Sequence, residues 1–244
     1  MKTHIIIRRF FNFEAMSREA AHYVAGVLVS AVERQGYATL VCSGGSTPRR
    51  LYELLAAEHF AAPWPAVDVF WADERCVPTE HPDSNYKMAF DALLANVPVL
   101  PVHIHRIQTE LGWQEAAHAY EEELRTFWKN RGNYVDCAAE LFDMVILGVG
   151  ADGHTASLFS GSPSLDESKR WVAPVEAPVG AGSRKRITLT LPILNRARHV
   201  LFLVTGQEKK KIVETIDKGG DAAAVHYPAA RIHASEQLVL FVNE

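Results

Sequence analysis

The chain has 244 residues, 48% hydrophobic and 22% charged, with 15 Gly and 12 Pro, a profile that excludes a disordered or collagen-like chain. A formal net charge of -4, from 25 Lys and Arg against 29 Asp and Glu, leaves no basic footprint for nucleic acid, so an anionic ligand must be held locally. Cys42, Cys76 and Cys137 lie far apart with no CxxC or Cys/His spacing, which argues against a disulfide framework and a structural zinc.

At the amino end a short apolar run, Ile5 to Ile7, is followed by Arg8 and Arg9, the reverse of a signal peptide's order, and no stretch approaches membrane-spanning length. A reduced, soluble, cytoplasmic protein without membrane contacts is the expectation. Residues 4–8 read as a strand and 14–34 as a helix with Ala20, Val24, Val27, Leu28 and Ala31 on one face. Strands follow at 38–42 and 67–71, with a helical pattern at 48–59 between them and others at 85–94 and 113–128. Strands at 142–147, 199–204 and 238–242 complete the series, with a helix at 208–216. Several strand runs are continuous rather than alternating, as strands covered on both faces are. Strand then helix, repeated without an internal repeat or linker, predicts one α/β domain over 1–244. Its form is an open, mainly parallel sheet between helical layers, a three-layer αβα arrangement.

Ligands of such sheets bind beyond the carboxyl ends of the strands, so the loops 43–48, 72–86, 148–157 and 205–209 carry the chemistry. Ser43-Gly44-Gly45-Ser46-Thr47-Pro48 is open to two readings, a capped strand-to-helix turn or an anion site. Its backbone donors at a helix start suit phosphate, and it lacks the Lys-Ser/Thr ending of a Walker loop. Gly148-Val149-Gly150-Ala151-Asp152-Gly153 satisfies GxGxxG, but Ser160-Gly161-Ser162-Pro163 stops any long helix after it, which disfavours a dinucleotide site. What remains is His154, a structural residue or a general base, with Asp152 placed to orient it. Asp73-Glu74-Arg75 can pair internally or offer an Arg fork to an anion. Ser84 can cap the next helix, and Lys209, Lys210 and Lys211 read either as a solvated face or as bringing one cation, and only one, to the same edge, since consecutive helical residues point in different directions. Glu121 to Glu123 read as a solvated face, Cys42 as a core residue, and no GxSxG nucleophile elbow is present.

Five segments in order, SGGSTPRRLYELL, WADERCVPTEHPDSNYKMA, FDMVILGVGADGHTASLF, RITLTLPILNRARHVLFLVTGQEKK and PAARIH, resemble the 6-phosphogluconolactonase family. The resemblance implies a Rossmann-like αβα domain related to the glucosamine-6-phosphate deaminase and ribose-5-phosphate isomerase group. It also implies hydrolysis of a phosphorylated sugar lactone in the oxidative pentose phosphate pathway, with no metal or organic cofactor. It places the phosphate loop on Gly44, Gly45, Ser46 and Thr47, the catalytic histidine on His154 beside Asp152, and the DER motif on Asp73, Glu74 and Arg75. Arg75, Arg186 and Lys209 match the basic ligand residues. Asp73 and Arg75 join His154 and Asp152 as expected catalytic residues, Arg75 as the oxyanion donor. Two departures are Val149 in place of the usual Met and the run 179–185 in place of a proline-rich one; 177–185 is the expected mobile segment. A monomer is favoured. The rivals are a deaminase or isomerase of the same fold, whose acidic Phe-Asn-Glu-Pro context is here Leu158-Phe159-Ser160-Gly161, and a non-catalytic sugar-phosphate-binding module.

Overall fold

The computed structural model describes residues 4–57, 62–132, 140–218 and 227–243. In chain order the elements begin β1 (His4–Arg9), α1 (Phe13–Gln35), β2 (Ala38–Cys42), α2 (Ser46–Ala57), β3 (Val67–Trp71), β4 (Asp73–Arg75), α3 (Asn85–Ala92) and α4 (Trp113–Asn130). They continue with β5 (Phe142–Gly148), β6 (Val172–Glu176), β7 (Lys185–Leu189), α5 (Leu191–Leu194), β8 (Ala197–Thr205), α6 (Lys210–Lys218) and β9 (Gln237–Asn243).

The six apolar runs form one sheet in the order β1-β9-β8-β5-β2-β3, and every pairing in it is parallel. All carboxyl ends therefore reach the same edge. β2 and β3 are buried along their whole length, which is why their sequences do not alternate. α1 starts where the Asn12 side chain accepts the Ala15 N–H and stops at Gly36, φ 83°, a left-handed cap that glycine adopts without a Cβ clash. It buries Met16, Ala20, Val24, Leu28 and Ala31, with Val27 half-buried at the margin of the stripe. The expected helix over 48–59 begins two residues earlier and is described to Ala57; 58–61 and Cys137 lie outside the described residues. The 208–216 helix starts as a 3₁₀ turn, Gln207–Lys209, that runs into α6. Among the described residues no helix is long and apolar enough to cross a membrane.

A second sheet, β4-β7-β6, is antiparallel and lies outside the sequence expectation, which treats 72–86 as loop. β4 has only three residues, all ionisable, and takes its regularity from β7, with Asp73 opposite Thr188, Glu74 opposite Ile187 and Arg75 opposite Arg186.

Glu74 has a structural task. Its buried carboxylate accepts the N–H groups of Asn85 and Tyr86 (2.7 Å each), that of Arg75, and the Ser84 hydroxyl at 3.0 Å. It thus caps α3 from another element, while Ser84 accepts the Lys87 N–H as the local cap. A carboxylate at a helix start meets unpaired donors and the positive end of the helix dipole. Burial raises the Glu74 carboxyl above its usual value despite these backbone donors. Glu74→Gln replaces one acceptor oxygen by an N–H group facing donors, and is expected to cost about 2–4 kcal/mol. Calorimetry should show an unfolding midpoint lowered by several degrees, at about 2–4 °C per kcal/mol for a chain of this size.

Candidate active site

The loop after β2 is built from its buried end outward. Tyr52 of α2 reaches back so that its hydroxyl accepts the Ser43 N–H at 2.9 Å and donates to the Ser43 carbonyl at 3.0 Å. Ser43 Oγ donates to the Ile146 carbonyl of β5 at 2.7 Å. Gly44 then passes so close to Asn85 that a Cβ on it would lie 1.8 Å from Asn85 Oδ1. Gly45 has φ 106°, and α2 begins at Ser46, presenting first-turn N–H groups that the helix leaves unpaired. Thr47 Oγ1 lies 3.3 Å from Thr205 Oγ1, joining this loop to the end of β8. Cys42, just before it, is buried, and burial pushes its thiol up to about 12, so it behaves as core rather than as a nucleophile.

The turn after β5 closes when Gly153 N–H donates to the Gly150 carbonyl (3.0 Å) and Gly150 N–H to the His154 carbonyl (2.9 Å). No helix follows, in keeping with the weak dinucleotide match. Thr155 Oγ1 ties the turn to the Gly148 carbonyl. From the other side Tyr227 packs where a Gly153 Cβ would be, and Ala229 N–H donates to the Gly153 carbonyl; the segment PAARIH therefore clamps this turn. His154 Nδ1 lies 2.5 Å from Asp152 Oδ1, which also accepts the His154 N–H at 3.2 Å. Burial would raise the Asp152 carboxyl, but the hydrogen bond and charge of His154 together with backbone donors hold it below the ordinary value. An ionised Asp152 fixes the ring proton on Nδ1 and leaves Nε2 as the acceptor. The His154 side chain is 29% exposed and Asp152 58%, so this acceptor is accessible. Gly150 cannot be replaced without disturbing the pair, because a Cβ there would lie 2.2 Å from His154 Nδ1 and 2.6 Å from Asp152 Oδ1.

The cations come from the second sheet and from the end of β8. Arg75 and Arg186 are directly opposite in register, an unfavourable pairing of like charges unless an anion lies between them. Arg75 donates through Nη1 to the Asp83 carbonyl, and its buried Nε has no partner. Arg186 donates to the carbonyls of Ser183 (3.0 Å) and Ala181, and burial lowers its pKa. The Phe159 ring packs near both groups, 4.7 Å from the His154 ring and 5.6 Å from the Arg186 guanidinium. Arg75 forms no ion pair inside the DER motif. Asp73 instead accepts from Ser157 Oγ at 2.6 Å and from Asn85 Nδ2.

One cleft of about 210 Å³ is lined by Gly44, Gly45, Ser46, Thr47, Asp73, Arg75, His154, Arg186 and Lys209, far more room than an ion or a single water needs. Every expected site residue except Asp152 is on its wall, and Asp152 stands behind His154. Tyr52, Asn85, Ser157, Phe159 and Tyr227 support these groups and escape sequence reasoning, because their partners come from other elements of the chain. The segment 177–185 is a hairpin turn with Gly180 and Gly182 at positive φ, tied through Arg186 and by a 2.9 Å bond from Ser183 Oγ to Asp83. Ala156, between His154 and Ser157, is the non-glycine residue at positive φ (48°) among those described, and such strain clusters at functional sites.

Residues 12–241 match the family described as glucosamine-6-phosphate isomerases/6-phosphogluconolactonase. A 6-phosphogluconolactonase of Synechocystis sp. is 37% identical over 235 residues, 96% of this chain and 93% of that protein. The crystal structure of 6-phosphogluconolactonase from Thermotoga maritima superposes with a TM-score of 0.83 at 28% identity, covering 98% of this chain and all (100%) of the other. The enzyme of that name from Trypanosoma cruzi gives 0.85 at 28% identity, covering 100% and 96%. The chain belongs to the glucosamine-6-phosphate isomerase/6-phosphogluconolactonase family.

Proposed function

We propose that the protein hydrolyses 6-phospho-D-glucono-1,5-lactone to 6-phospho-D-gluconate, the lactonase step of the oxidative pentose phosphate pathway. The observation that carries this reading is the presence in one cleft of an anion loop and a histidine whose free Nε2 is set by Asp152. The phosphate sits on the loop Gly44 to Thr47 with Lys209 and an arginine, which fixes the position of the lactone carbonyl. His154 Nε2 takes a proton from the attacking water as the tetrahedral intermediate forms, then returns it to the ring oxygen as the C1–O bond breaks. Arg75, whose side chain lines the cleft, stabilises the developing oxyanion, and Arg186 adds positive charge. Asp73, on the wall of the cleft, serves the reaction by holding Ser157 and Asn85 in place. A lactone is an activated ester, so positioning and a base suffice in this reading.

A deaminase of the same fold is the alternative. The residue packed against His154 is Phe159, and 158–161 holds no carboxylate, which favours hydrolysis. We read the chain as one domain acting as a cytoplasmic monomer; light scattering on the purified protein checks the monomer.

The deciding experiment follows loss of freshly generated 6-phosphogluconolactone against its spontaneous background, beside unphosphorylated gluconolactone. Fast loss confined to the phosphorylated compound is expected. A folded protein with no acceleration above background overturns the reading.

Asp152→Asn is expected to lower kcat by up to about 10⁴-fold, the loss that follows when the carboxylate setting a catalytic imidazole's tautomer becomes an amide, with KM within threefold. Because the native Asp152 carboxyl lies below its unfolded value, its contribution to stability is present above the ordinary carboxylate range and is lost as pH falls through the lowered native value. Asp152 therefore stays ionised throughout the neutral range, and urea unfolding at pH 7 and pH 3 should show the difference between wild type and Asp152→Asn shrinking at the lower pH.

A further inference from the structure

Asn85 and Ser157 are buried polar residues with no step of their own in the mechanism above. Asn85 is 2% exposed and Ser157 0%, and a buried polar side chain is costly unless its hydrogen bonds are specific. The Asn85 side chain is not needed to cap α3. The start of α3 is already served by Ser84 and Glu74, which take the N–H groups of Lys87, Asn85 and Tyr86. Both side chains converge on Asp73, itself 5% exposed. Asn85 Nδ2 donates to the Asp73 carbonyl at 2.8 Å and to Oδ1 at 3.2 Å, and Ser157 Oγ donates to Oδ2 at 2.6 Å.

Each partner touches a different half of the cleft. The Asn85 amide is packed on Gly44 of the anion loop. Ser157 lies three residues after His154, and its N–H is held by Thr188 Oγ1 of β7. A continuous buried bridge thus runs from the anion loop through Asn85, Asp73 and Ser157 to the loop bearing the base. We infer that Asn85 and Ser157 are positioning residues that fix the distance between the bound phosphate and the His154 imidazole, with Asp73 as their common anchor. A substrate anchored at its phosphate reacts efficiently only if the carbonyl falls within about half an ångström of the productive place, and this bridge sets that spacing.

The inference rests on the lactonase reading for its substrate but is tested partly by binding. Ser157→Ala removes the end of the bridge on the His154 loop, together with the 3.5 Å contact that Ser157 Oγ accepts from Arg186 Nη1. Its affinity for 6-phosphogluconate, measured by calorimetry, should fall about tenfold while that for inorganic phosphate stays within twofold, because one ligand spans the cleft and the other does not. In turnover, its preference for the phosphorylated over the unphosphorylated lactone should fall about tenfold. Asn85→Asp keeps the shape but sets an acceptor against Asp73, and should give the same loss of preference. The double variant should lose little more than either single one, as for residues acting through a shared partner. Wild-type preference in both single variants, equal losses for 6-phosphogluconate and inorganic phosphate in Ser157→Ala, or additive losses in the double variant would overturn the inference. Failure of the wild type to hydrolyse the lactone refutes the functional reading, while the two affinities still decide the spacing claim.

Discussion

Replacing His154 by Ala should lower kcat for the phosphorylated lactone by about 10²–10⁴, the range that a positioned general base contributes, or about 3–5 kcal/mol of transition-state stabilisation. KM should stay within about threefold, because the proposed phosphate site, Gly44 to Thr47 with Lys209, is made by residues other than His154. The fold should persist, since the ring is partly exposed and the turn is closed by backbone bonds among Gly150, Gly153 and His154 that Ala also makes. The residual rate should still exceed the spontaneous one through the arginines and substrate placement. Rates under saturating substrate, paired with a thermal melt, check this; undiminished kcat in a folded His154→Ala variant would remove the base from His154 and the mechanism with it.

The main sheet is legible in the sequence because its strands are continuous apolar runs, and a strand buried on both faces has no other way to be written. The Gly44-Gly45 turn at the start of α2 and the His154 turn are legible as turns because their signals are local: paired glycines at a helix start, and an Asp two residues from a His. β4 is different. Three ionisable residues have no strand signature, and they become a strand only because β7 arrives opposite them. That pairing also brings Arg75 and Arg186 together, so a feature of the site that most needs an anion is invisible until the second sheet exists. Glu74 reads as part of a charged motif but is consumed as a helix cap. Its neighbour Asp73 holds two polar partners from other elements. Tertiary contacts, not residue type, separate the roles of the three.

Gly44→Ala should have the second large effect, and it discriminates between a ligand site and an ordinary helix cap. Gly44 has no need of a left-handed backbone, so the requirement is for space: an added methyl would meet Asn85 Oδ1, Cγ and Nδ2 at 1.8, 2.4 and 2.9 Å. The Asn85 amide cannot retreat without giving up its bonds to Asp73, so the anion loop must move instead. Forced overpacking of this kind costs about 1–3 kcal/mol. It also displaces the N–H groups of Gly45 and Ser46, on which an oxyanion would rest. Affinity for inorganic phosphate should fall about tenfold or more, and KM for the phosphorylated lactone should rise in step. His154 and Asp152 lie on a different loop, and unphosphorylated gluconolactone should lose far less. Gly44→Ala with unchanged phosphate affinity and a wild-type KM would make the Gly-Gly turn a packing device alone, and would move phosphate recognition to Lys209 and the two arginines.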